Sequence, residues 1–210
     1  MEKNGETLKA GLLELGLESK DETIAAFELY LRELKKWNRI HNITSITDES
    51  EIVGKHFLDS LIYLKAIPPD IQNLCDVGSG GGFPGLPIAL VRKDIAYTLL
   101  EPARKKSAFL RQMRRLLCLR DIEIIESRAE EVEDRQFDVV VTRATFSIAD
   151  MLKKAGHLIK NEGILIMSKG PKYEDELQGV QAPYRVEVMP VNLPCQQMIR
   201  NLIVVRREES

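Results

Sequence analysis

A chain of 210 residues, 44% apolar and 30% charged, suits one large domain and sits near globular averages, which excludes disorder and a disulfide-stapled miniature. The net charge of -2 conceals segregation: nine basic residues against two acids between Arg92 and Arg120, then eight acids against two arginines between Asp121 and Asp138. Cys75, Cys118 and Cys195 are far apart and odd in number with no signal peptide before them, and charges interrupt every apolar run short of the ~20 residues that cross a bilayer, so a cytoplasmic protein without a membrane span is expected.

In chain order, Ile24, Phe27, Leu31 and Leu34 recur at helical steps and predict an amphipathic helix to about Trp37. A second helix is expected from Asp48, with Asp48 as cap and Glu51 at the third position, an apolar stripe of Ile52, His56/Phe57, Ser60/Leu61 and Leu64, and a stop at Pro68-Pro69. From Asn73 the pattern changes to short β-branched runs alternating with helices. Strand Leu74 to Val77, helix Leu86 to Val91, strand Ala96 to Glu101, helix Arg104 to Leu119 and strand Ile122 to Glu126 come first. A short helix near Ala129 to Val132, strand Phe137 to Thr142, helix Ile148 to Ile159 and strand Ile164 to Ser168 come next. A helix near Tyr173 to Gly179 precedes two late strands, Arg185 to Met189 and Met198 to Val205, which are expected to pair antiparallel. The expected fold is α/β: a Rossmann-like, mostly parallel central sheet with helices on both faces in residues 71–210, and an N-terminal helical extension, residues 1–70, packed on that core.

The run Asp76-Val77-Gly78-Ser79-Gly80-Gly81-Gly82-Phe83-Pro84-Gly85 succeeds the first core strand and precedes a helix, the context that a nucleotide-cofactor loop requires. Gly80, Gly82 and Gly85 match G-x-G-x-x-G, a weak signal alone. The charges beside it say more. Asp76 at the carboxyl end of the strand is expected to face the ligand, and Glu101, 23 residues after Gly78, stands at the spacing of the acid that binds ribose hydroxyls. A dinucleotide would set a pyrophosphate over this loop, where a like unit charge at 4 Å costs about 4 kcal/mol at an effective dielectric of 20. S-adenosylmethionine has no phosphate and carries an ammonium and a sulfonium, so the sign of the site favours it over NAD. No phosphate-gripping P-loop is present.

The segment after the fourth strand narrows the choice of methyl acceptor. Val141-Thr142-Arg143-Ala144-Thr145 is not the acidic or Asn-Pro-Pro-aromatic motif common where an exocyclic amine is methylated. Cys75 on a strand and Cys118 on a helix read as packing residues rather than nucleophiles, and Cys195 in a loop is unassigned. Guanine N7 offers a lone pair with no proton to remove, so it needs no general base. Arg143 at the strand end is a candidate to hold guanine O6 or a phosphate, against the plainer reading of a salt bridge. Lys169 in Ser168-Lys169-Gly170-Pro171 is a candidate substrate contact, an exposed lysine being the alternative. His41, His56 and His157 lack metal-ligand spacing, and no metal is expected.

Three segments are distinctive: Trp37-Asn38-Arg39-Ile40-His41-Asn42-Ile43-Thr44-Ser45, Lys55-His56-Phe57-Leu58-Asp59-Ser60, and the glycine loop continued through Phe83-Pro84-Gly85-Leu86-Pro87. With Ser127-Arg128-Ala129-Glu130-Glu131, Thr142-Arg143-Ala144 and Lys169-Gly170, the chain resembles, over nearly its whole length, the bacterial methyltransferase G family of small-subunit ribosomal RNA, also called glucose-inhibited division protein B. The resemblance implies transfer of a methyl group from S-adenosylmethionine, leaving S-adenosylhomocysteine, to N7 of one guanine of 16S rRNA near the decoding region. The expected partner is that RNA within the small ribosomal subunit or an assembly intermediate, and a monomer is expected. It also implies that Gly78 and Phe83 contact the cofactor, that Ala129 and Glu130 border its adenine, and that Arg143 lies beside the transfer site. Asn42, Thr44, His56, Asp59 and Ser60 match the family's motifs, a brace between extension and core being the plainer reading, and His56 is not expected to act as a catalyst. Glu101 stands where the family often has Asp, and its longer side chain is expected to reach ribose. Three alternatives remain open on the sequence: a non-catalytic RNA-binding ribosome-assembly factor, a small-molecule methyltransferase and, on the shared loop alone, a NAD-dependent dehydrogenase.

Overall fold

The computed structural model describes residues 2–143, 146–170 and 173–208. Ala144, Thr145 and Pro171, which belong to the distinctive motifs, lie outside the described residues.

Helices α1 (Glu2–Glu14) and α2 (Asp21–His41) open the chain. α1 falls within the helical extension expected from the sequence, though no separate helix was delimited there. α2 buries Ile24, Phe27, Tyr30, Leu31 and Leu34 and ends where Asn42 turns left-handed at φ 51° and donates its N–H to the Asn38 carbonyl. Asp48 caps the next segment as expected, accepting the Glu51 N–H. The single helix expected there is instead four short pieces: α3 (Glu49–Ile52), a π-helical turn (Val53–Leu58), α4 (Asp59–Leu61) and a 3₁₀ turn (Ile62–Lys65). Val53, Gly54, Leu58 and Asp59 are buried as well as Ile52, His56, Phe57, Ser60 and Leu61 of the expected stripe, Leu64 being half-buried, so this segment is enclosed on nearly every side rather than along one face.

The core alternates as expected through β1 (Asn73–Val77), α5 (Gly85–Val91), β2 (Ala96–Leu100), α6 (Arg104–Leu116), β3 (Ile122–Ile125), a 3₁₀ turn (Ala129–Glu131), β4 (Phe137–Thr142) and α7 (Ile148–Ala155). It ends in β5 (Ile159–Lys169), α8 (Glu174–Leu177), β6 (Tyr184–Asn192) and β7 (Ile199–Arg207). α6 stops short of Leu119 because Cys118 takes φ 53°, while the N–H groups of Cys118 and Leu119 fold back on the carbonyls of Arg115 and Arg114. The helix expected to reach Ile159 gives way to a 3₁₀ turn at Gly156, and Ile159 already begins β5.

The seven strands run in the order β3-β2-β1-β4-β5-β7-β6, with β7 antiparallel to both neighbours and the other pairings parallel. Successive side chains of a strand leave by opposite faces. Leu74, Val139, Val141, Ile166 and Leu202 therefore join one apolar cluster, and Cys75, Val140, Leu165, Met167 and Ile203 the other. The first cluster also holds Leu8, Leu12, Phe27, Tyr30, Leu34, Phe57, Leu58 and Leu61, so the N-terminal helices are continuous with the sheet's own core. The second is closed by α7 through Ile148, Met151 and Ala155. The strand order reverses direction between β1 and β4, and ligands of such sheets bind outside the carboxyl ends at that crevice.

Candidate active site

The turn after β1 is shaped by backbone demands. Gly78 has φ +71°, and a Cβ built there meets nothing within 4 Å, so its missing side chain leaves open space beside the strand end. At Gly82, φ +95°, a Cβ would fall 2.5 Å from both Leu86 Cδ1 and the Tyr30 hydroxyl, so that glycine serves packing. The turn hangs on its neighbour: the N–H groups of Gly78 and Ser79 both donate to the Leu100 carbonyl, at 2.9 and 3.0 Å. Tyr30, reaching in from α2, donates its hydroxyl to the Gly81 carbonyl.

Gly78 opens onto a cavity of about 290 Å³ lined by Val77, Leu100, Pro102, Ala129, Met151 and Glu130, with Ser127, Arg128, Phe146 and Lys154 at its edge. That is near the ~300 Å³ lower end of small-molecule sites. Its lining combines apolar side chains with charges of both signs. Glu130 accepts from Lys154 Nζ at 2.5 Å, and that bond first holds its carboxyl below the usual range. Gly78, Ala129 and Glu130, singled out separately in the sequence, thus meet in one cavity. Phe146, Met151 and Lys154 were missed.

The two acids differ from expectation. Asp76 does not face open space: it is wholly buried, its Oδ2 accepts the Gly85 N–H at 2.9 Å at the first turn of α5, and Oδ1 has no partner among the described residues. Burial pushes its carboxyl up to about 7, against the opposing pull of the Gly85 N–H. Glu101 is also buried, and each of its oxygens is engaged at 2.8 Å, Oε2 by the Gly80 N–H and Oε1 by the Ala103 N–H. It pins the turn to the end of β2 instead of projecting into the cavity. Phe83 likewise is not on the cavity wall. It is buried, stacked on His56 with centroids 4.3 Å apart and on Tyr30 at 5.6 Å.

Arg143, past the end of β4, is held by the N-terminal segment. The π-helical turn presents the Lys55 and His56 carbonyls to it, at 3.1 and 3.4 Å, and Ser60 Oγ lies at 3.4 Å. Arg143 also lies 3.3 Å from His56 Nδ1, which must accept, leaving the His56 Nε2–H to donate to Thr44 Oγ1 at 2.8 Å. His56 is therefore neutral. Burial first, then the Arg143 charge, lowers its pKa to about 4. Asp59, almost fully buried, takes Arg200 Nε on Oδ1 at 2.7 Å and faces Arg143 Nη2 from Oδ2 at 3.6 Å. Lys169 is similarly engaged, donating to the Phe146 carbonyl at 2.6 Å and pairing with Glu176 at 2.9 Å. Tyr63 spans the β4/β5 seam: its hydroxyl donates to the Thr142 carbonyl at 2.8 Å and accepts the Ser168 N–H at 3.0 Å. Thr142 Oγ1 donates in turn to the Val77 carbonyl at 2.8 Å, tying β4 to β1. Nothing local in the sequence marks Tyr63. Arg200 had one available signal, a charge entering an apolar strand at the end that antiparallel pairing brings to the carboxyl edge.

Comparison with known proteins fits this architecture. The profile of the rRNA small subunit methyltransferase G family matches residues 23–203. Two proteins named ribosomal RNA small subunit methyltransferase G are among its relatives. That of Syntrophus aciditrophicus is 37% identical over 202 residues, covering 90% of this chain and 84% of its own length. That of Aromatoleum aromaticum is 38% identical over 207 residues, covering 96% and 98%. Among solved structures, a methyltransferase from Pyrococcus furiosus superposes with TM-score 0.62 at 14% identity, covering 87% of this chain and 98% of that one. M. jannaschii TYW2 in complex with AdoMet superposes with TM-score 0.57 at 15% identity, covering 72% and 74%. The structural likenesses show the fold; on the profile and the two sequence relatives, the chain belongs to the rRNA small subunit methyltransferase G family.

Proposed function

We propose that the chain transfers the methyl group of S-adenosylmethionine to N7 of a guanine in 16S rRNA, acting as a monomer in the cytoplasm on the small ribosomal subunit or an assembly intermediate. In this reading residues 1–70 are a helical extension and residues 71–210 the catalytic core. The observation that carries it is the open space at Gly78 leading into an apolar cavity, with the unpartnered buried oxygen of Asp76 behind the same turn. An apolar slot between Leu100, Ala129 and Met151 fits a purine, and Glu130 on its rim fits the purine's exocyclic N–H. A buried carboxylate lacking one partner fits a cationic ligand, because an approaching positive charge repays part of the cost of ionising it.

When bound, S-adenosylmethionine supplies an electrophilic methyl on a sulfonium, and in-line attack by N7 leaves S-adenosylhomocysteine. The protein's own residues orient and exclude water. Glu101 fixes the turn through Gly80, Tyr30 fixes it through Gly81, and Tyr63 and Thr142 hold the ends of β1, β4 and β5 in register. N7 has no proton to lose, and His56, neutral and bonded at both ring nitrogens, is not called upon as a base. Positioning of this kind is itself a large source of rate. The test is radiolabelled methyl transfer to naked RNA, small subunits and whole ribosomes from a strain lacking the enzyme, with the modified base mapped. Label at N7 of a single guanine is expected; label on an amine, on carbon, or on no RNA at all overturns the reading.

A further inference from the structure

We infer that Arg200 is a substrate-holding residue, kept in place by the buried carboxylate of Asp59, and that it takes a phosphodiester group of the RNA strand bearing the target base. The inference rests on the rRNA reading above and adds a contact to it. Asp59 faces two guanidinium groups, and the two are not equally committed. Arg143 spends its terminal nitrogens on Lys55, His56 and Ser60. Arg200 spends only Nε, on Asp59, and no partner for its two terminal nitrogens is found among the described residues, although its side chain is only 27% exposed. A guanidinium anchored through Nε offers its outer fork as a rigid pair of donors, the geometry that matches a phosphate.

Charge counting gives the same ligand. His56 is neutral, Lys55 is paired with Glu51 and Lys169 with Glu176, so Arg143 and Arg200 against Asp59 leave one uncompensated positive charge at the carboxyl edge of β4 and β5, where β7 begins. A phosphodiester carries one negative charge. The guanine ring is a poor partner, because N7 methylation builds positive charge on it. The cofactor's carboxylate is the other monoanion available. β7 lies three strands from β1, whose turn opens the cavity, about 14 Å between backbones by strand spacing. The shared Asp59 carboxylate draws the Arg200 side chain toward Arg143 at the end of β4, and cofactor affinity, measured separately, tells the two monoanions apart.

The experiment compares R200Q, R200K and the double variant D59N/R200Q on small subunits from a strain lacking the enzyme. R200Q is expected to raise KM for subunits about tenfold to a hundredfold while leaving S-adenosylmethionine affinity within about twofold. It should also lower the slope of log affinity for RNA against log salt by about 0.7, one phosphate's share on a single strand. R200K, keeping the charge but not the fork, should fall between. D59N/R200Q removes the carboxylate that R200Q leaves with Arg143 alone, and KM stays high. An unchanged KM and slope, a KM restored by the double variant, or a loss located in cofactor affinity overturns the inference. Equilibrium binding to small-subunit RNA reads the contact without turnover, so failure of the methylation reading is separable from failure of this one.

Discussion

The glycine turn and the brace over β4 adjoin each other and are built on opposite terms. Around the turn, one buried oxygen of Asp76 is unpartnered and the space beside Gly78 is open. In the brace, Tyr63 uses its hydroxyl twice, His56 uses both ring nitrogens, and Asp59 answers two arginines. A region left short of partners is where a ligand can supply them, and a region already supplied is where rigidity comes from. Substitutions on the turn should therefore cost cofactor binding first, and substitutions of the fully engaged brace groups, Asp59 among them, should cost stability first.

The largest effect is expected in the brace. Asp59→Ala strands Arg200 and weakens the hold on Arg143, and removing one member of such a buried pair should cost about 3 kcal/mol of unfolding free energy. Denaturant titration measures it, and a loss under about 1 kcal/mol would show that the carboxylate contributes little to stability. On the turn, Gly78→Asp puts bulk and a side chain with unfavourable positive φ into the open space, and cofactor affinity should fall at least about a hundredfold by calorimetry. Near-normal affinity would mean that the cofactor lies elsewhere.

The third effect is a pH dependence in which the two regions oppose each other. Asp76 has its folded pKa raised from 3.8 to about 7, so the stability it contributes is complete below about 4 and is lost as pH rises through about 7. A cationic ligand reverses that preference, and binding to the ionised form alone would be about tenfold tighter at pH 8 than at pH 6. Asp76→Asn should flatten the profile; an equally steep profile in the variant assigns it to another group. His56 has its folded pKa lowered from 6.5 to about 4, so its contribution is present above 6.5 and is lost as pH falls toward 4. The smallest effect belongs to the basic face of α6. Arg104, Lys105 and Arg114 are exposed and have no acidic partner among the described residues, and Lys105→Gln should weaken RNA binding only about twofold to fivefold at moderate salt. A response independent of salt would remove α6 from the RNA surface.

Much of this architecture was legible from the sequence because alternating strands and helices leave local periodic traces. The strand–glycine–helix junction at Asp76 to Gly85 was plain for that reason, and so were the antiparallel last two strands. The direction in which a carboxylate points leaves no such trace. Glu101 stands at the spacing of a ribose-binding acid, yet the Gly80 and Ala103 N–H groups claim it. The brace was harder still. Tyr63 meets Ser168 across 105 residues and Asp59 meets Arg200 across 141, so only the closed sheet brings them together. The π-helical turn arises where the segment is enclosed by neighbours from several directions, and a pattern read for one wet face cannot register that.

The merging of α1, α2 and the segment to Lys65 into the sheet's own apolar cluster has a practical corollary. A fragment beginning at β1 would keep only α5 and α6 on a face whose apolar cluster the N-terminal helices now share, and the apolar surface so uncovered would precipitate or recruit a surrogate lid. Swinging the N-terminal helices aside would expose the same cluster to water.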